Sequence, residues 1–220
     1  AAQYRASLPA AVASYGGSPV AQTAQRELIR GIRGMLVRTL RTPAGLPTES
    51  AIVLGTLAEL APEFHLNAQI PPDGYWLTTA TVNGVSYTVI TGSTDRGVLY
   101  GVFGFLRKIG LGEPIAGLNE QQSPYAAIRW VNQWDNLDGS IERGYGGRSI
   151  LWENLRARED LSRVSEYGRL LASLGINACA ISNVNANPRV LASDFLPQVA
   201  RIAEAFDVGR EIAALTDGRT

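Results

Sequence analysis

The stretch WDNLDGSIERGYGGRS, Trp134–Ser149, gathers three carboxylates, Asp135, Asp138 and Glu142. Two carboxylic groups this close in sequence could work as an acid and a base. Asn136, Arg143 and Arg148 lie in the same stretch and can pair with and orient those acids, so an ion-pair network that pins a loop is the simpler reading. Gly144, Gly146 and Gly147 permit a sharp backbone path and a close approach of substrate. Their spacing is not GxGxxG and no phosphate-cradling helix start follows, which argues against a nucleotide loop. Ser149 has no histidine nearby, so a capping hydroxyl is expected rather than a nucleophile. The single cysteine, Cys179, sits in INACAIS and reads as a buried small apolar side chain. The single histidine, His65, lies in PEFHLN away from any cysteine, so neither a metal site nor a cofactor is expected.

The elements that must position these residues follow from composition and periodicity. The chain has 220 residues, 45% of them hydrophobic, with 20 basic residues balancing 20 acidic ones. That supports a sizeable core and offers no charge stripe for nucleic acid or an anionic membrane surface. Residues 6–25 carry no charge, but Pro9, Gly16, Gly17 and Pro19 interrupt them, which does not suit a membrane span. The chain begins AAQY, which leaves a processed secretory protein and a trimmed chain equally open, and with them secreted, periplasmic and cytoplasmic placement.

Apolar residues at Ala24, Leu28, Ile32, Met35 and Leu36 predict an amphipathic helix between Val20 and Leu40, and AIVLGT at 51–56 a buried strand. Asn83-Gly84 between β-branched and aromatic runs predicts a tight hairpin. DRGVLYGVFGFLRKI, 95–109, predicts a second helix stopped by Gly110. Residues 110–124 have linker composition, which divides the chain into an α+β domain over 1–122 and a second region over 123–220. That region reads as two β/α units: AAIRWVNQW, a polar loop and a helix over 160–174, then NACAISNV, a loop and a helix over 194–206. Both polar loops follow strands, the end at which ligands gather in parallel β/α folds.

RWVNQWDNLDGSIERGYGGRSI and YGRLLASLGINACAISNVNANPRVLASDFLPQVARIAEAF resemble the start of the catalytic domain of microbial α-glucuronidases of glycoside hydrolase family sixty-seven. GSTDRGVLYGVFGFLRKIG resembles the end of that family's N-terminal domain. The resemblance implies an α/β protein: an N-terminal α+β domain, a small sheet with packed helices, followed by the first β/α units of an incomplete TIM (β/α)8 barrel. It implies hydrolysis, with inversion, of the α-1,2 bond between glucuronic acid or its 4-O-methyl ether and the terminal xylose of xylo-oligosaccharides. Counted from Ala126, about 95 residues are present, against ~250 for a whole barrel. The acid and base are therefore expected outside this chain, which should be catalytically silent. After Phe206 the family's pattern runs through a turn into a third apolar strand, whereas DVGREIAALTDGRT departs from it and is expected to be unrelated.

The resemblance further makes Trp134 a substrate wall, its indole stacking on the sugar's C–H face, with packing inside a barrel mouth as the alternative. Trp130, on the same strand face by alternation, is assigned to the core. Val184 would border the pocket for the 4-O-methyl group. Asn183 and Asn185 would either orient sugar hydroxyls or cap their own loop. The implied partners are glucuronic-acid-substituted xylo-oligosaccharides, with a homodimer of the parent enzyme left open. The rival reading is a non-catalytic module that binds carbohydrate or protein; a hexosaminidase-type enzyme with the same N-terminal domain fits the WDNLDGSIERGY motif less well.

Overall fold

A computed structural model of the chain describes residue 4 and residues 7–181, 187–206 and 213–216. It divides into two compact units, Ala1–Ala127 and Ile128–Thr220.

The first unit is built on a five-stranded mixed sheet of order β1-β2-β4-β3-β5. Its elements are β1 (Ala11–Ser14), α1 (Pro19–Leu36), β2 (Ala51–Thr56), α2 (Leu57–Phe64), β3 (Tyr75–Val82), β4 (Val85–Gly92), α3 (Asp95–Leu111) and β5 (Asn119–Gln122). β1, β2 and β4 run parallel, while β3 is antiparallel to both β4 and β5. The β3–β4 turn places Asn83 at φ 51° and Gly84 at φ 80°. Two successive positive φ values match the twist of the flanking strands, which is why Asn-Gly closes the hairpin.

Leu60 and Phe64 of α2 pack on Val53 and Val89. Gly101 of α3 faces Ile90, so by strand alternation α2 and α3 cover opposite faces of β4. The glycines of α3 set how close it lies: a Cβ on Gly97 would stand 2.4 Å from the Gly74 carbonyl oxygen, and one on Gly104 would stand 2.6 Å from the Tyr75 hydroxyl. α1 meets α3 in the same way, with Gly31 seated against Leu106.

Three expectations for this unit change. α3 runs through Gly110 to Leu111, and Gly112, at φ 77°, takes the left-handed cap that ends it. Residues read as linker contain β5, whose exposed polar residues suit an edge strand with one side in water. β5 is tied down by Lys108, whose Nζ donates to Glu113 at 2.9 Å and to Glu120 at 2.7 Å. α2 was not anticipated, although T-x-x-E at Thr56–Glu59 signalled it: the two side chains form a reciprocal capping box.

The second unit contains β6 (Trp130–Gln133), the small hairpin of β7 (Trp152–Glu153) and β8 (Arg156–Ala157), α4 (Ser162–Ser173), β9 (Ala178–Ile181), α5 (Phe195–Ala205) and β10 (Ala213–Thr216). β6, β9 and β10 make a parallel three-stranded sheet of order β10-β9-β6, and among the described residues it does not close into a barrel. β10 is the short run AALT, which pairs beside β9 with Ala213 opposite Ala178. Leu137, Leu151, Trp152, Val164, Cys179 and Ile202 belong to one buried cluster. Each large apolar side chain in it contributes roughly 1.5–3 kcal/mol by leaving water.

Candidate functional site

β6 shows which way its side chains point. Val131 packs against the buried cluster, and the Gln133 amide donates to the Tyr167 hydroxyl of α4 at 2.6 Å. Odd positions therefore face the helices, and Trp130, Asn132 and Trp134 face the other way. All three are exposed, Trp130 at 58% and Trp134 at 45%. Trp130 is thus not a core residue, because the described helices cover only the opposite face of the strand. Asn132, an amide between two indoles, went unnoticed in the sequence, although alternation from Trp134 was enough to place it.

After β6 the chain spends residues 134–161 before α4 begins. Connections between strands and helices usually take 2–6 residues, and long ones are commonly functional. This one is folded tightly on itself. The Glu142 amide donates to the Trp134 carbonyl at 2.8 Å and the Asn136 amide to the Ser140 carbonyl at 2.8 Å, and Asp135 bridges Ile141 antiparallel. The Asn136 side chain donates to Ser140 Oγ at 2.9 Å and to the Glu142 carbonyl at 2.7 Å. Asp138 accepts from the Ser140 amide at 2.9 Å and hydroxyl at 2.6 Å. Those bonds hold its carboxyl below the usual range, with a smaller contribution from Arg148.

The loop then turns through Gly144 and Gly147, both at φ 93°, and returns to place the Ser149 amide 2.9 Å from the Gly139 carbonyl. Arg143, Tyr145 and Arg148 stand exposed at its tip, so hydrogen bonding is what closes the loop, in place of the ion-pair network expected.

Asp135 is 3% exposed. Burial pushes its carboxyl above the usual range, and a hydrogen bond donated by the Ser149 hydroxyl draws it partly back. On the helix side, burial raises Tyr167 and Cys179, and the charge of Asp135 adds to both. Buried Cys179 is pushed up to about 11, first by desolvation, which makes it the inert apolar residue its surroundings suggested. Ser149 is a capping residue: its Oγ accepts from the amides of Leu151 and Trp152, each at 2.9 Å.

The three acids have separate surroundings. Asp135 is turned to the helices, Asp138 is locked in its own turn, and Glu142 is engaged by the Tyr145 hydroxyl. Asn183, Val184 and Asn185 lie outside the described residues. Among the described residues no group of three histidine, cysteine, aspartate or glutamate side chains could hold a metal ion, and no helix is long and apolar enough to cross a membrane.

Two family descriptions divide the chain: Glycosyl hydrolase family 67 N-terminus matches residues 1–105, and Glycosyl hydrolase family 67 middle domain matches residues 108–210. The chain belongs to glycosyl hydrolase family 67. This family-67 chain is 39% identical over 220 residues to Alpha-glucuronidase A of Emericella nidulans, covering 94% of this chain and 25% of that protein. It is 43% identical over 201 residues to Alpha-glucuronidase of Hypocrea jecorina, covering 84% of this chain and 23% of that protein. The family-67 chain therefore spans about a quarter of the length of these relatives. Its fold is shared, at a TM-score of 0.62 and 19% identity, by BtGH115A, a family GH115 4-O-methyl-α-glucuronidase with specificity for decorated arabinogalactans. That match covers 96% of this chain and 29% of the BtGH115A chain.

Proposed function

We propose that this chain is the amino-terminal part of an α-glucuronidase that cleaves the α-1,2 bond between (4-O-methyl)glucuronic acid and the terminal xylose of xylo-oligosaccharides. In this reading the second unit opens a TIM-type catalytic barrel, and Trp134 forms one wall of the sugar pocket. The observation that carries it is the exposed Trp134 indole at the carboxyl end of a parallel strand, held at the head of a long, internally bonded loop. An indole suits a sugar because its flat apolar face covers C–H groups while its edge can still donate. Membership of family 67 and the name shared by the relatives supply the reaction class.

The family resemblance assigns Val184 to the 4-O-methyl group, and Asn183 and Asn185 either to sugar hydroxyls or to capping their own loop; all three lie outside the described residues. An inverting glycosidase needs two carboxylic groups ~6.5–9.5 Å apart, and in this reading they come from residues outside this chain; the burial of Asp135 and the turn bonding of Asp138 support it.

The test is calorimetric titration of the chain with an aldouronic acid, beside the Trp134→Ala variant, with assay of released uronic acid. Saturable binding, weakened about tenfold or more in the variant, and no release is the expected result. Equal binding by both chains would remove Trp134 from the pocket. Uronic acid set free by the 220-residue chain would place the acid and base inside it.

A further inference from the structure

Asp135 follows the exposed indole directly in sequence, yet its carboxylate is turned into the interior, 3% exposed. An ionised group is normally left in water or paired with an opposite charge, because burial strips it of hydration at considerable cost. Here its described bond comes from a neutral hydroxyl, that of Ser149, itself 2% exposed. The arrangement makes sense as a clamp. Asp135 lies at the outgoing end of the loop and Ser149 at its returning end, and the two ends are laced together between them by the 134–142 and 139–149 backbone bonds. Ser149 Oγ also accepts the amides of Leu151 and Trp152. Trp152 is 1% exposed and stacks on Phe195 of α5, with ring centroids 5.6 Å apart. A continuous path of bonded groups thus joins the backbone beneath the exposed indole to the buried cluster of the unit.

We infer that Asp135 is a positioning residue: bonded to Ser149, its carboxylate locks the 134–149 loop to the Trp152 core and fixes the backbone from which Trp134 meets the sugar. This rests on the reading of Trp134 as a pocket wall. Asp135 follows the odd, helix-facing positions Val131 and Gln133, so the role inferred for it is to position and not to cleave. The binding of a rigid ligand by one aromatic wall is sensitive to displacements of the order of 1 Å, so a clamp of this kind is worth keeping despite its burial cost.

The experiment uses the chain itself and four variants: Asp135→Asn, which keeps an acceptor for the Ser149 hydroxyl; Asp135→Leu, which removes it; Ser149→Ala; and Asp135→Leu with Ser149→Ala. Aldouronic-acid affinity is measured at a temperature where circular dichroism shows each variant folded. Asp135→Leu and Ser149→Ala should each weaken binding about tenfold, the pair no more than either alone, and Asp135→Asn should retain most of the affinity. If Asp135→Leu does not fold, Ser149→Ala against Asp135→Asn still decides. Unchanged affinity in Ser149→Ala, with only its melting temperature lowered, would overturn the inference and leave Trp134 untouched. A Trp134→Ala chain that binds as the parent does would overturn both, and so marks failure of the pocket reading itself.

Discussion

The carboxyl ends of the parallel strands are finished differently in the two units. In the first unit β2 runs into α2 without a connecting residue, and β4 reaches α3 through Ser93 and Thr94 alone. Ser18, Thr56 and Thr94 each cap the helix that follows, with side-chain oxygens accepting from the first-turn amides. Glu59 returns to the Thr56 amide at 2.8 Å, and the Tyr15 hydroxyl is held by Glu63. The side chains at that end of the sheet are spent on capping the sheet's own helices. In the second unit, residues 134–161 separate β6 from α4, and their polar groups are spent on holding the loop's shape while an indole is left in solvent. The same β/α logic serves as a closed scaffold in one unit and a presenting surface in the other. Loop length, and what the loop's hydrogen bonds are used for, makes the difference.

The contrast can be broken most forcefully in the scaffold. Gly97→Leu would force a side chain where even a Cβ would lie 2.4 Å from a backbone oxygen, and should cost about 3 kcal/mol or more in urea unfolding. An unchanged midpoint would show that α3 can lift off the sheet freely. On the presenting surface, Trp134→Ala should leave the unfolding midpoint nearly unmoved while weakening sugar binding about tenfold, a loss near ~1.4 kcal/mol. Were stability to fall instead, the indole would be a packing residue after all. Thr56→Ala removes one half of the capping box and should cost about 1 kcal/mol with no change in sugar affinity. A change in affinity would mean that the self-capped end is not inert.

The smallest effect concerns pH. The folded state raises the Asp135 carboxyl above its unfolded value, so folding favours the protonated form. Its share of stability is therefore fully present below the unfolded value and is lost as pH rises through the folded one. Urea midpoints across roughly pH 4–7, compared with those of Asp135→Asn, should show the parent losing stability relative to the variant as pH increases. A parallel pair of curves would mean that burial does not perturb this carboxyl.

Much of the scaffold is legible along the chain because its signals are local. The period of α1 and α3, the apolar run of β2 and the Asn-Gly turn depend on residues a few positions apart. Where the reading failed, a partner distant in sequence decided: β5 becomes a strand only because β3 lies alongside. The candidate site was half visible. WDNLDGSIERGY marks the loop and Trp134, but the composition that suggested ion pairs is used for hydrogen bonds, and Trp130 lies on the open face instead of in the core.

The sequence by itself determined the helices, the hairpin and the family motifs, since propensity, periodicity and turn chemistry act over neighbouring residues. Tertiary structure alone decided which face of β6 is left open, and that Asp135 is buried against Ser149 at the far end of its loop. Burial and long-range bonding depend on what the folded chain brings alongside a residue, and no local spacing encodes that.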